Sequence, residues 1–256
     1  MEPQRNLKTT RWKIVFGCSL AVFLAGLGFL IYLLCDGYFS SRKYEQFLSS
    51  AAPTSSESPL PDNPIDFASL QAVNTDVYAW IRIPNTNIDY PVLQSVTEDD
   101  GFYLDHDINK QYKFAGSIYS ERKNSTDFSD PNTVLYGHNM KNGSMFQNLH
   151  KFRDKTFFDE NQYIYIYTPG HILTYEIFAA YRYDDRHILN SFNFSDPAVF
   201  AEYLEYVKAP KSMIVNTRPV ELNTDSRLLT LSTCIGNQKN YRYLVQGVLK
   251  QDEPTK

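Results

Sequence analysis

The chain has 256 residues, 43% of them hydrophobic and 21% charged, with 25 Lys+Arg against 29 Asp+Glu and a formal net charge of -4. That slightly acidic balance, without a basic patch or basic helix, argues against nucleic acid as a partner. Two of the three cysteines lie within the first 35 residues, so the rest of the chain holds a single thiol and cannot close an internal disulfide.

Arg5, Lys8, Arg11 and Lys13 stand against a lone Glu2 ahead of Ile14–Cys35, an uncharged stretch of 22 residues. As a helix it is long enough to cross a hydrocarbon core of roughly 30 Å, and basic flanks of this kind stay cytoplasmic. The sequence therefore predicts a cytoplasmic N-terminus over 1–13 and an uncleaved type II transmembrane anchor over 14–35, with the remainder outside the cell. A cleaved signal peptide, the rival reading, has an apolar part of about 7–15 residues closed by a small-x-small site; nothing like that follows Leu30. Cys18 and Cys35 read as apolar filler here, with lipidation as the alternative. An exported domain with one thiol suits an envelope that does not rely on disulfides, as on Gram-positive surfaces.

Residues 36–64 form a juxtamembrane segment ending in AAPTSSESPLPDNP, where Ser and Pro dominate and predict a solvated, extended stalk. A folded domain over 65–250 and a polar tail over 251–256 complete the division. Ile65–Val73 predicts a short helix capped from Asp62 or Asn63 ahead of Pro64. Eight strands follow at Ala79–Ile83, Ile88–Gln94, Ala115–Tyr119, Thr133–Tyr136, Gln162–Thr168, Ile172–Tyr183, Arg227–Cys234 and Tyr241–Lys250. Pro84–Asn87 and Thr168–His171 punctuate hairpins, and Gly247 in mid-strand predicts a bulge. Two helices interrupt the series. Ser144–Phe152 is short; in Asp196–Lys208, Asp196 caps, Pro197 fits the first turn and Val199, Phe200, Tyr203, Leu204 and Val207 make one apolar stripe. Antiparallel-rich strands with few helices and short connections predict a mainly β, eight-stranded closed barrel.

Cys234 ends the alternating run Arg227–Cys234 and opens a loop, where side chains are accessible. A lone cysteine is most often a small buried hydrophobe. Here the strand-end position, the missing disulfide partner and Arg242 at the start of the next strand favour a reactive thiol, since a cation stabilises thiolate or a developing oxyanion. A thiol of ordinary pKa needs a base. Among His106, His138, His150, His171 and His187, only His138 also follows a strand end, behind Tyr136-Gly137. The others read as solvated surface, His150 within its short helix. One Cys with scattered His, without C-x-x-C or H-E-x-x-H, is a poor zinc set. The acidic pairs Asp99-Asp100, Asp105-His106-Asp107 and Asp184-Asp185 lack the EF-hand pattern and read as loop charge. No nucleotide-binding glycine motif occurs.

TLSTC at 230–234, Arg242 eight residues beyond the Cys, and YGHNMKNGSMFQNL at 136–149 resemble a sortase. WIRIPNTNIDYPVLQ at 80–94, FYLDHDI at 102–108 and AGSIYSE at 115–121 make the resemblance one to class B, over about residues 64–250. It implies a membrane-anchored cysteine transpeptidase built on an eight-stranded barrel, with Cys234 as nucleophile, His138 as acid/base and Arg242 as oxyanion or substrate-orienting group. The Cys-to-Arg loop is a little shorter than in some class B members. The resemblance also implies Ser232 beneath the thiol, Leu104 beside the substrate, and Ile188 and Leu189 in the loop before the Asp196 helix; for each, core or surface filler is the alternative. Its implied partners are surface proteins bearing a C-terminal sorting signal and a peptidoglycan amine, with no cofactor. The alternatives are a pilin-polymerising sortase, a Cys/His peptidase and a non-catalytic wall-binding module. Against the first stand the absence of an Asp-Pro-aromatic lid, Asp62 being followed by Asn63, and the polar C-terminus.

Overall fold

The computed structural model describes residues 60–256 and, of the preceding chain, the helical positions Leu24 and Leu27. The expected anchor over 14–35 and most of the stalk lie outside the described residues; among these, no helix is long and apolar enough to cross a membrane. The elements below belong to the compact unit Pro53–Lys256.

Helix α1 (Phe67–Val73) leads into β1 (Val77–Arg82), β2 (Asp89–Leu93), a 3-10 turn (Phe102–Leu104), β3 (Ile118–Tyr119) and β4 (Asn132–Tyr136). A longer 3-10 helix (Phe146–Arg153) and α2 (Lys155–Glu160) precede the hairpin of β5 (Tyr163–Thr168) and β6 (His171–Asp184). Then come α3 (Ile188–Ser191), α4 (Pro197–Lys208), β7 (Val215–Thr217), β8 (Leu228–Ile235) and β9 (Gln238–Pro254). Strand order is β5-β1-β2-β3-β4-β8-β9-β6-β7, and β5 pairs with β6 as well. That pairing closes eight strands into the expected barrel. The ninth, β7, lies against Ala179–Tyr181 on the edge of β6 that β5 occupies further back.

Alternation places the core. On β8, Leu229, Leu231 and Ile235 face the barrel interior with Tyr243 and Val245 of β9 and Leu135 of β4. Residues of the other parity, Leu228, Val134, Leu244 and Val248, meet Phe200, Tyr203, Leu204 and Val207 of α4 on the outside. Asp196 caps α4 by accepting from the Ala198 N–H, and Pro197 occupies its first turn. Beneath it Gln246 Nε2 donates to Tyr203 Oη (2.9 Å) and Thr230 Oγ1 (2.8 Å), while its Oε1 accepts from Tyr181 (2.9 Å). The network ties β6, β8, β9 and α4 together below the end of β8.

Several local expectations change. Asp66, rather than Asp62 or Asn63, caps α1 by accepting from the Ser69 N–H. Asn63 instead bonds the Thr168 carbonyl and Thr255 Oγ1. Strand β9 runs through Gln251–Pro254, paired with His171–Thr174, in the stretch expected to be a polar tail. The segment 144–152 winds as a 3-10 helix from Phe146, and the three-residue repeat stacks buried Phe146, Leu149 and Phe152 in one row.

Gly247 faces a bulge on the partner strand, where the register slips between Ile177 and Ala179. A Cβ at Gly247 would stand 3.0 Å from Tyr175 Cβ and 3.4 Å from the Glu176 carbonyl oxygen. Gly247→Val should therefore lower stability by about 1–3 kcal/mol, read from the urea midpoint; an unchanged midpoint would show that Tyr175 moves freely.

Candidate active site

Strand β8 lies between β4 and β9, and the register of the three strands builds the site. Cys234 is directly opposite Arg242 of β9, so the two side chains leave the sheet on the same face with Cβ atoms about 4.5–5.5 Å apart. On the other side β4 runs parallel to β8 with Tyr136 opposite Ser232, and the Gly137 N–H bonds the Ser232 carbonyl at 3.2 Å. His138 follows the end of β4, between Gly137 and Asn139, both of which bond to the end of β8. Thr233 Oγ1 donates to the Gly137 carbonyl at 2.8 Å and fixes that junction. Thiol and guanidinium thus share one face at the ends of β8 and β9, and the imidazole-bearing residue follows the end of β4.

Cys234 is a free, exposed cysteine, flanked by buried Thr233 and Ile235. The half-buried His138 ring stacks on Phe114, centroids 5.4 Å apart and planes at 16°. Arg242 Nη1 donates to the carbonyls of Lys239 (2.9 Å) and Tyr241 (3.1 Å). These belong to extra residues that β9 carries where the β8–β9 register slips after Cys234, so the bulge holds one edge of the guanidinium. Tyr119 of β3 is close enough that Cys234 contributes to raising its phenol pKa, behind burial and Glu121.

The resemblance-based residues fall in different settings. Ser232 is buried two positions before Cys234 on the same face of β8. Leu104 is 44% exposed. Its carbonyl lies where a Cβ on Gly116, at φ +56, would collide at 2.1 Å, so Gly116 keeps the loop folded onto Leu104, two residues from Phe114. The loop is anchored below by Tyr103, which donates to buried Asp76 at 2.6 Å and accepts from Asn74 at 2.7 Å. Ile188 is buried in the cluster under α4, and Leu189 is half-buried against it. His187, just before them, pairs with Glu121 at 2.7 Å, tying the segment to the end of β3.

His150 differs from the surface role expected of it. The 3-10 winding puts it in one row with Arg153, both against the Tyr243 ring, at 5.1 Å and 5.0 Å. Its Nε2 lies 3.1 Å from the Cys234 carbonyl oxygen. Burial, then Arg153, hold its pKa below the ordinary imidazole range, against the raising effect of that carbonyl. Side chains of this chain meet the acidic loops, Arg122 at Asp100 (2.8 Å), His106 at Asp105 (2.8 Å) and Arg186 at Asp184 (2.9 Å).

A closed barrel with an exposed thiol near the end of one strand and a guanidinium opposite it can support acyl transfer through sulfur. The Sortase domain family matches residues 81–250. Sortase B of Listeria monocytogenes is 38% identical over 185 residues, covering 70% of this chain and 72% of that protein. The structure resembles Clostridium perfringens sortase B with a TM-score of 0.66 and 34% identity, over 73% of this chain and 100% of that one. It also resembles a Streptococcus pyogenes class B sortase involved in pilus biogenesis, with a TM-score of 0.63 and 30% identity, over 74% and 100% of the two chains. The chain belongs to the sortase family and is a transpeptidase of the class B kind.

Proposed function

We propose that this sortase cleaves a C-terminal sorting signal at a Thr carbonyl and transfers the surface protein to a peptidoglycan amine. The Cys234 thiolate attacks the carbonyl carbon. Arg242, with one edge held by its own bulge, offers the rest of its donors to the resulting oxyanion. His138 gives its proton to the departing amine as the C–N bond breaks, leaving a thioester. The incoming amine then attacks the thioester, His138 takes a proton from it, and the Cys234 sulfur leaves. The observations that support this reading are that Arg242 is opposite Cys234 in β9 and that His138 follows Gly137, which bonds to Ser232 and Thr233 of β8.

Residues 14–35 are proposed as a single-pass type II anchor that keeps the domain at the outer face of a Gram-positive membrane. Their uncharged length and basic N-terminal flank support this. A pilin-polymerising role is the second reading, favoured by the likeness to the pilus-associated S. pyogenes enzyme.

The full chain, mixed with a small library of five-residue sorting-type peptides and followed by intact mass spectrometry, tests both. A peptide thioester converted to an amide by a peptidoglycan-type amine is the expected result. Conversion only by a lysine-bearing pilin-type acceptor would move the assignment to pilus assembly. An adduct lost only to water would make the protein a peptidase. No adduct, with a thiol inert to alkylation, would leave a wall-binding module.

A further inference from the structure

The β4–β8 ladder stops one hydrogen bond short of the cysteine. After Gly137 N–H to the Ser232 carbonyl, a parallel ladder would next bring the Asn139 N–H to the Cys234 carbonyl. The backbone turns away instead, and Asn139 forms an isolated bridge with Met145. On the other side the β8–β9 register slips immediately after Cys234. A carbonyl at such a break needs another partner. The Asn139 side chain replaces its own main chain, Nδ2 donating to the Cys234 carbonyl at 3.0 Å. His150 Nε2 closes the triangle, 3.1 Å from the same oxygen and 3.0 Å from Asn139 Nδ2.

We propose that Asn139 and His150 are positioning residues for transpeptidation, a side-chain clamp on the Cys234 carbonyl that holds the nucleophile's peptide group between His138 and Arg242. The inference rests on the reading of Cys234 as nucleophile. The clamp works with a neutral ring. With the proton on Nε2, His150 donates to the carbonyl and leaves Nδ1 without a hydrogen. Nδ1 is buried without a partner among the described residues, so a doubly protonated ring would carry a stranded N–H. The groups around it are Arg153 on its own helix, the Tyr243 ring of β9, Asn139 and the Cys234 carbonyl. None is anionic. Because the folded pKa lies below the unfolded value of about 6.5, the folded protein binds fewer protons there, and its stability falls as pH drops from that value towards the folded pKa.

The test measures kcat, KM and thermal midpoint of the full chain, with whichever peptide the library above identifies. Asn139→Ala and His150→Ala should lower kcat about 100-fold through misplacement of the thiol, with KM unchanged. His150→Gln, whose amide nitrogen reaches the place of Nε2, should recover most of kcat and make the fall of the thermal midpoint at acid pH shallower. Wild-type kcat in both alanine variants would overturn the clamp. So would losses that follow the thermal midpoint and are not rescued by Gln. Cys234→Ala separates the two layers: if it turns over normally, the nucleophile reading fails; if it is dead while the clamp variants are unaffected, the clamp alone fails.

Discussion

Cys234→Ala should form no thioester and lose at least about ten-thousand-fold in transpeptidation, because Cys234 is the sole thiol among the described residues. The substitution should leave folding intact. Cys234 is exposed at the end of β8, and the packing there comes from its buried neighbours Thr233 and Ile235. Intact mass after incubation with peptide, alongside the urea midpoint, checks both halves. Measurable thioester or amide product from the alanine variant would end the assignment of Cys234. Cys234→Ser should be nearly as inactive, since the hydroxyl is far less acidic than the thiol and its neighbours cannot ionise it.

Arg242→Lys should cost about 100-fold or more in kcat, although the charge is kept. Arg242 uses Nη1 on two carbonyls of the bulge, Lys239 and Tyr241, and its planar fork leaves further donors free. A lysine ammonium is a point charge on a flexible stem; it cannot satisfy the bulge and face the oxyanion in the same geometry. Arg242→Ala should fall further still. Single-turnover rates of thioester formation, measured apart from peptide affinity, read this directly. A lysine variant as fast as wild type would show that Arg242 contributes charge alone, without directed donors.

Both predictions follow from residues legible in the chain itself. Alternation in Arg227–Cys234 marked a strand and placed the thiol at its end. Tyr136-Gly137-His138 marked a second strand end, and the stripe from Val199 to Val207 marked α4. Each signal is local, because strand and helix periodicity survive without knowledge of the partner. The shorter elements did not announce themselves. Strand β7 has only Val215–Thr217 and is a strand because β6 outruns β5 and offers it an open edge.

His150 is the clearest case of what pattern could not reveal. Read with α-helical spacing, the stretch from Met145 to Phe152 puts its apolar residues on one face and leaves His150 to solvent. Wound as a 3-10 helix, the same residues present rows three apart, and His150 turns with Arg153 towards Tyr243 and the Cys234 carbonyl. Gly247 was legible as a mid-strand irregularity, but the bulge it accommodates belongs to β6. By itself, then, the sequence determined most of the strands, the main helix, and the thiol, imidazole and guanidinium to which the proposed chemistry is assigned. The tertiary structure decided which strands adjoin, that β4 and β9 flank β8 with Arg242 opposite Cys234, and that Asn139 and His150 reach the Cys234 carbonyl. Those are pairings between segments as many as 96 residues apart, set by barrel closure and core packing, and local periodicity carries no record of them.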